Sequence, residues 1–127
     1  MTLLIATGCW SLALGAISGW PLAILSQAGP RRPGWRFLRE PKRLMQLHLD
    51  WIMMGSVLIA VGVAVPGLPA WVTALILVGA VVNPLLFLPL AVHGSHLRNR
   101  RTYRAAAAAS FTALSGGLIA AAVVATA

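Results

Sequence analysis

Four apolar stretches divide the chain, at residues 2–28, 44–65, 69–93 and 103–126, and the segments between them are short and either strongly basic or tightly turned. A helix needs about 20 apolar residues to cross the hydrocarbon core at 1.5 Å rise each, so every stretch predicts a membrane span. The first lacks the positive n-region of a signal peptide, and its apolar run exceeds a usual h-region, which predicts a retained helix. Residues 29–43 are polar and carry Pro30, Pro33, Gly34 and Pro41, which stop helix propagation. Pro66, Gly67, Leu68 and Pro69 form an uncharged tight turn, and residues 94–104 form a second basic loop. The pattern predicts an all-α polytopic membrane protein, a single four-transmembrane-helix bundle.

Pro21, Pro84 and Pro89 lie inside apolar stretches, and each removes a backbone donor, which predicts kinks. Small residues mark expected contact faces. Gly15 and Gly19 form a small-xxx-small pair with Gly8 one heptad earlier, and Gly55 and Gly62 are likewise seven apart. The last stretch opens with alanines at 105–109 and contains Gly116 and Gly117. In lipid, close backbone approach is a main source of helix association.

Composition agrees with the pattern. Hydrophobic residues make up 59% of the chain and charged residues 9%, against about a quarter charged in a soluble domain. The lone cysteine, Cys9, excludes an internal disulfide and is expected to be a buried, inert thiol. The formal charge of +8 suggests nucleic acid only until the positions are inspected. All 10 Lys and Arg fall beside apolar stretches: Arg31, Arg32, Arg36, Arg39, Lys42 and Arg43, then Arg98, Arg100, Arg101 and Arg104. Such clusters meet anionic lipid headgroups and set orientation. Loops 29–43 and 94–104 are therefore expected in the cytoplasm, both termini outside, and the chain in the cell inner membrane without a nucleic-acid partner.

Few polar residues enter the spans, so each is a candidate for function. His48 and Asp50 are two apart and point to nearly opposite sides of the second helix. Asp50 is expected to meet another helix or another subunit, or, as the favoured role, to form a structural ion pair with a basic-loop arginine. Three readings stand for His48: an interfacial histidine bonded to a carbonyl, a proton relay, and an axial haem ligand. Gly55 shares its face and would give a flat macrocycle clearance. Asn83 is expected to satisfy local backbone, bond across helices, or point into a ligand cavity. His93 and His96, spaced i, i+3, offer a second axial ligand or a metal site. A nucleotide loop, Cys-x-x-Cys, Glu-x-x-His and a serine-hydrolase elbow are all absent from the sequence.

His48-Leu49-Asp50, then Gly55, Pro66, Gly79 and Asn83, resemble the small membrane isomerases typified by hydroxylaminobenzene mutase and styrene oxide isomerase, over about residues 40–92. The resemblance implies a homotrimer holding haem b between subunits, with a histidine at the position of His48 as the axial metal ligand. Ferric iron there acts as a Lewis acid on the oxygen of a small apolar epoxide- or hydroxylamine-type substrate, without redox turnover. Met54, Phe87 and Gly79 stand where the styrene oxide branch carries Asn, Tyr and Asp. The resemblance thus implies a pocket of Met54, Phe87 and Asn83, with Asn83 as its catalytic polar residue, beside a haem on His48 cleared by Gly55. Two other readings remain: a b-type electron carrier using His48 with His93 or His96, and a cofactor-free structural or accessory protein.

Overall fold

A computed structural model describes residues 2–28 and 36–127. Among them, α1 runs Leu3–Ala28, α2 Lys42–Ala64, α3 Ala70–Leu85, α4 Phe87–His93 and α5 Arg101–Thr126, with a 3-10 turn at Ser95–Asn99. α3 and α4 form one interrupted span, Ala70–His93, so four helical spans of 23 to 26 residues result. At 1.5 Å per residue they are about 35–39 Å long, enough to cross the roughly 30 Å hydrocarbon core. The chain is an integral membrane protein built as an all-α four-helix bundle. Within the first basic loop, Pro30, Arg31, Arg32, Pro33 and Gly34 lie outside the described residues.

The bundle consists of two close helix pairs. α1 packs along α2, α5 packs along α3, and α2 meets α3 and α4 between them. In the first pair, glycines of one helix face large side chains of the other in antiparallel register. Gly62 faces Ile5, Gly8 faces Ile59, Gly55 faces Leu12, Gly15 faces Ile52 and Gly19 faces His48. A Cβ on Gly8 would lie 2.8 Å from the Gly55 carbonyl oxygen, and one on Gly55 would lie 2.9 Å from that of Gly8. The hydrogens in those two positions therefore point at each other's carbonyls, a reciprocal Cα–H···O contact worth about 0.5–1 kcal/mol per bond.

The second pair repeats the device. Gly79 faces Leu114 and Gly117 faces Ile76. The buried Ser110 hydroxyl donates to the Gly79 carbonyl at 3.1 Å. The shared core holds Leu4, Met54, Leu58, Val72, Ile76, Ala80, Leu114 and Ala121. A Cβ on Gly116 would meet nothing within 4 Å. Of residues 105–109, only Ala107 is even partly covered, so the alanine run is not the contact face that the sequence suggested.

The third span breaks where proline chemistry predicts. Pro84 leaves the Ala80 carbonyl, and Pro89 the Leu85 carbonyl, without an i+4 donor. The helix is interrupted at Leu86, and Tyr103 of α5 donates its hydroxyl to the Leu86 carbonyl at 2.9 Å. Cys9 is exposed, not buried, because it lies on the side of α1 turned away from α2, next to exposed Trp10.

Candidate functional site

The polar residues of α2 are distributed to two sides, as their spacing requires. On the α1 side, His48 Nδ1 lies 2.8 Å from the Gly15 carbonyl oxygen. A carbonyl only accepts, so Nδ1 carries the hydrogen and, in the neutral ring, Nε2 carries the lone pair. Ser18 donates its hydroxyl to the same carbonyl at 2.8 Å and sits 3.2 Å from Nδ1. The ring rests against Gly19, where a Cβ would come within 3.1 Å of Cε1.

Gly55 lies on the same face of α2 as His48, but Gly8 and Leu12 of α1 fill the space above it. The glycine that leaves room for the imidazole is Gly19. Met54 is buried in the shared core with Leu58 and Ile76 and does not line an opening beside His48. In the single chain, α1 fills the space over Gly55, and Met54 faces the shared core rather than the His48 ring.

On the α3 side, Asn83 Nδ2 donates to Asp50 Oδ2 at 2.9 Å. Among the described residues, the acid that pairs with a basic-loop arginine is Glu40, through Arg43 Nε at 3.0 Å, and not Asp50. Asp50 is instead the acceptor that fixes the orientation of the Asn83 amide. Asn83 is itself buried, and its Oδ1 accepts no hydrogen bond from the described residues.

Asn83 faces a cavity of about 520 Å³ between the third span and α5 at the basic end of the bundle. Phe87, Leu90, Ala107 and Phe111 supply apolar walls. Leu86, Tyr103, Arg43, Arg98 and Arg104 complete the lining. Two of the expected site residues, Asn83 and Phe87, thus share one cavity, which is not lined by His48 or Met54.

The basic end is also where the two loops are tied together. Glu40 accepts from the Ser95 backbone N–H and the Ser95 hydroxyl, both at 2.6 Å. Arg43 donates Nη2 to the Ser95 hydroxyl at 2.8 Å and Nη1 to Gln46 Oε1 at 2.6 Å. The backbone N–H groups of Arg39 and Glu40 both reach the Ala91 carbonyl, at 2.9 and 3.0 Å. These contacts hold the Glu40 carboxyl at a pKa of about 2, with the Ser95 hydroxyl as the largest cause, then its N–H, then Arg43.

Gly94, at φ +95°, ends α4 and turns the chain into the 3-10 segment. His93 and His96 therefore sit on different segments rather than one helical face, and no group of three or more His, Cys, Asp or Glu converges among the described residues. Sequence reasoning missed Glu40, Tyr103 and the Arg104–Phe111 side of the cavity. A signal existed for two of these: Glu40 is the only acid among six cations with Arg43 three residues on, and Tyr103 is the only tyrosine. Compared with family models, curated proteins and solved structures, the chain matches none.

Proposed function

We propose that the protein binds a small molecule in the Asn83 cavity and acts on it as a membrane-embedded isomerase-like protein. The observation that carries this reading is the half-satisfied amide of Asn83. Asp50 fixes one of its N–H groups at 2.9 Å, while Oδ1 is left to the cavity. Among the described residues no buried side-chain polar atom lacks a partner, so the Oδ1 that accepts nothing is open to the cavity, where a donor on a ligand can reach it. A fixed amide dipole in an apolar cavity is suited to orienting a polar ligand atom and to stabilising charge that develops on it. An intramolecular rearrangement needs neither a second substrate nor water, which suits apolar walls. Asn83→Leu keeps the hydrophobicity of the span and removes the dipole. Binding of an aromatic epoxide or aryl hydroxylamine to purified protein in nanodiscs should weaken at least tenfold, and unchanged binding would reject this site.

The geometry of His48 favours a second reading, in which haem b is held at a homotrimer interface. Its Nδ1–H bond to Gly15 fixes Nε2 as the basic nitrogen, the arrangement of a metal-binding histidine whose other nitrogen is anchored. His48 would hold the iron, which supplies Lewis-acid chemistry when bound. The Asn83 amide lies on the other side of α2, so in one chain the two groups do not share a cavity. His48→Ala should abolish any Soret band of the purified protein, and full haem occupancy in that variant would rule this reading out.

A further inference from the structure

We infer that the Asn83 cavity selects a small acid: a carboxylate or phosphate monoester at its mouth, an aromatic or short aliphatic body, and a polar atom at the far end. This inference rests on the cavity being the functional site and adds the class of molecule it accepts.

The charges at the mouth are the first observation. Three arginines line the cavity, and they are not equivalent. Arg43 is neutralised by Glu40 and spends Nε, Nη1 and Nη2 on Glu40, Gln46 and Ser95. Arg98 and Arg104 have no acidic partner and no side-chain hydrogen bond among the described residues. Both are solvent-exposed, so they lend the mouth a positive potential that draws an anion. Guanidinium groups match the paired oxygens of carboxylate and phosphate. Tyr103 does not compete for the anion, since its hydroxyl is committed to the Leu86 carbonyl at 2.9 Å.

The depth of the cavity supplies the second observation. Asn83 lies at its membrane end, with an Oδ1 that lacks a donor. A hydrocarbon tail pushed to that depth would leave the amide unpaired, whereas a hydroxyl or amide N–H on the ligand would satisfy it. Phe87, Leu90 and Phe111 between the two polar ends require an apolar middle. The volume, about 520 Å³, lies within the roughly 300–1,000 Å³ typical of small-ligand sites. A two-tailed phospholipid fits neither the volume nor the polar floor, so a free acid is the source to which the site is matched.

The test uses full-length protein in phosphatidylcholine nanodiscs and three probes in equilibrium dialysis: 4-(4-hydroxyphenyl)butanoate, its primary amide, and 4-phenylbutanoate. The hydroxy acid should bind at least tenfold more tightly than the amide and several-fold more tightly than 4-phenylbutanoate. Arg98→Gln and Arg104→Gln should each erode the preference for acid over amide, while the other basic-loop cations remain to orient the chain. Ala107→Trp, which fills the cavity, should abolish binding of all three probes. If acid and amide bind equally, and neither arginine variant matters, the acid class is wrong while the cavity reading stands. If Ala107→Trp leaves the binding of every probe unchanged, the cavity reading fails as well; if none of the three binds, the acid class is overturned, and the cavity reading is decided by the Asn83→Leu comparison. If phosphatidylglycerol in the nanodisc displaces the hydroxy acid stoichiometrically, the site belongs to a lipid headgroup and the small-acid class is overturned.

Discussion

The two acids of the chain answer different problems. Asp50 lies in a span and orients an amide, whereas Glu40 lies outside the spans and ties one loop to the other. Hydrogen bonds from Ser95, with Arg43 beside them, lower the Glu40 pKa from its ordinary 4.5 to about 2. A depressed carboxyl pKa stabilises the folded form fully above the unfolded value and loses that contribution as pH falls through the folded value. Protection of the Ser95 amide from hydrogen exchange should therefore be independent of Glu40 titration at neutral pH and decline between about pH 4.5 and 2. Glu40→Gln should remove this acid-dependent phase and lower protection already at pH 7; an unchanged profile would show that the carboxylate does not hold the loops. The opposite facing of His48 and Asp50 could be read from their spacing alone. Their partners could not, because which residue of a neighbouring helix lies opposite depends on packing register. The sequence also led Asp50 to be matched with an arginine, when the loop acid three residues before Arg43 was geometrically closer to hand.

At the scale of the helix, existence and order were legible and the ends were less so. α2 begins at Lys42 directly after Pro41, and α5 at Arg101, each two residues before the apolar stretch that announced it. Charged side chains sustain the first turn as well as apolar ones do, so the helix outruns its hydrophobic segment. Glycine spacing identified the contact face of the first pair but overstated that of the last helix. A helix presents several faces, and only the partner decides which one is covered. The distinction between Gly79 and Gly116 makes this measurable. A Cβ on Gly79 would stand 2.6 Å from both the backbone nitrogen and the Cβ of Leu114, whereas one on Gly116 would meet nothing. Gly79→Ala should cost about 1–3 kcal/mol as α3 and α5 are forced apart. Gly116→Ala should be neutral or slightly stabilising through helix propensity. Unfolding in detergent mixtures reads both, and equal effects would contradict the packing of this pair.

At the scale of the molecule, charge asymmetry carries the orientation we propose. All 10 cations belong to the two basic loops, and the Pro66 to Pro69 turn has none. The positive-inside rule then puts the loops in the cytoplasm and both termini outside. A C-terminal alkaline phosphatase fusion should be active, and a fluorescent-protein fusion there dark; the reverse pattern would invert the topology. Large apolar side chains left exposed on the outer helices, among them Trp10, Trp20, Phe111 and Ile119, are consistent with a lipid surround. The cavity was the least legible feature at this scale. It forms where a proline-broken span parts from α5, and its walls come from segments that no periodicity links.

The division into two glycine-matched pairs also separates the contacts by their range along the chain. Each pair joins spans that are consecutive in sequence, so the close approaches of α1 to α2 and of the third span to α5 are local ones. The contacts that join the two pairs are the shared core, the Asp50–Asn83 bond, the ties of Glu40 and Arg43 to Ser95, and the Arg39 and Glu40 N–H bonds to Ala91. These longer-range contacts include the bond that aims Asn83 and the tie that holds Arg43 in place. The cavity itself lies within the second pair, between the third span and α5, so the meeting of the two halves adds Arg43 to its lining and sets the Asn83 amide rather than creating the space.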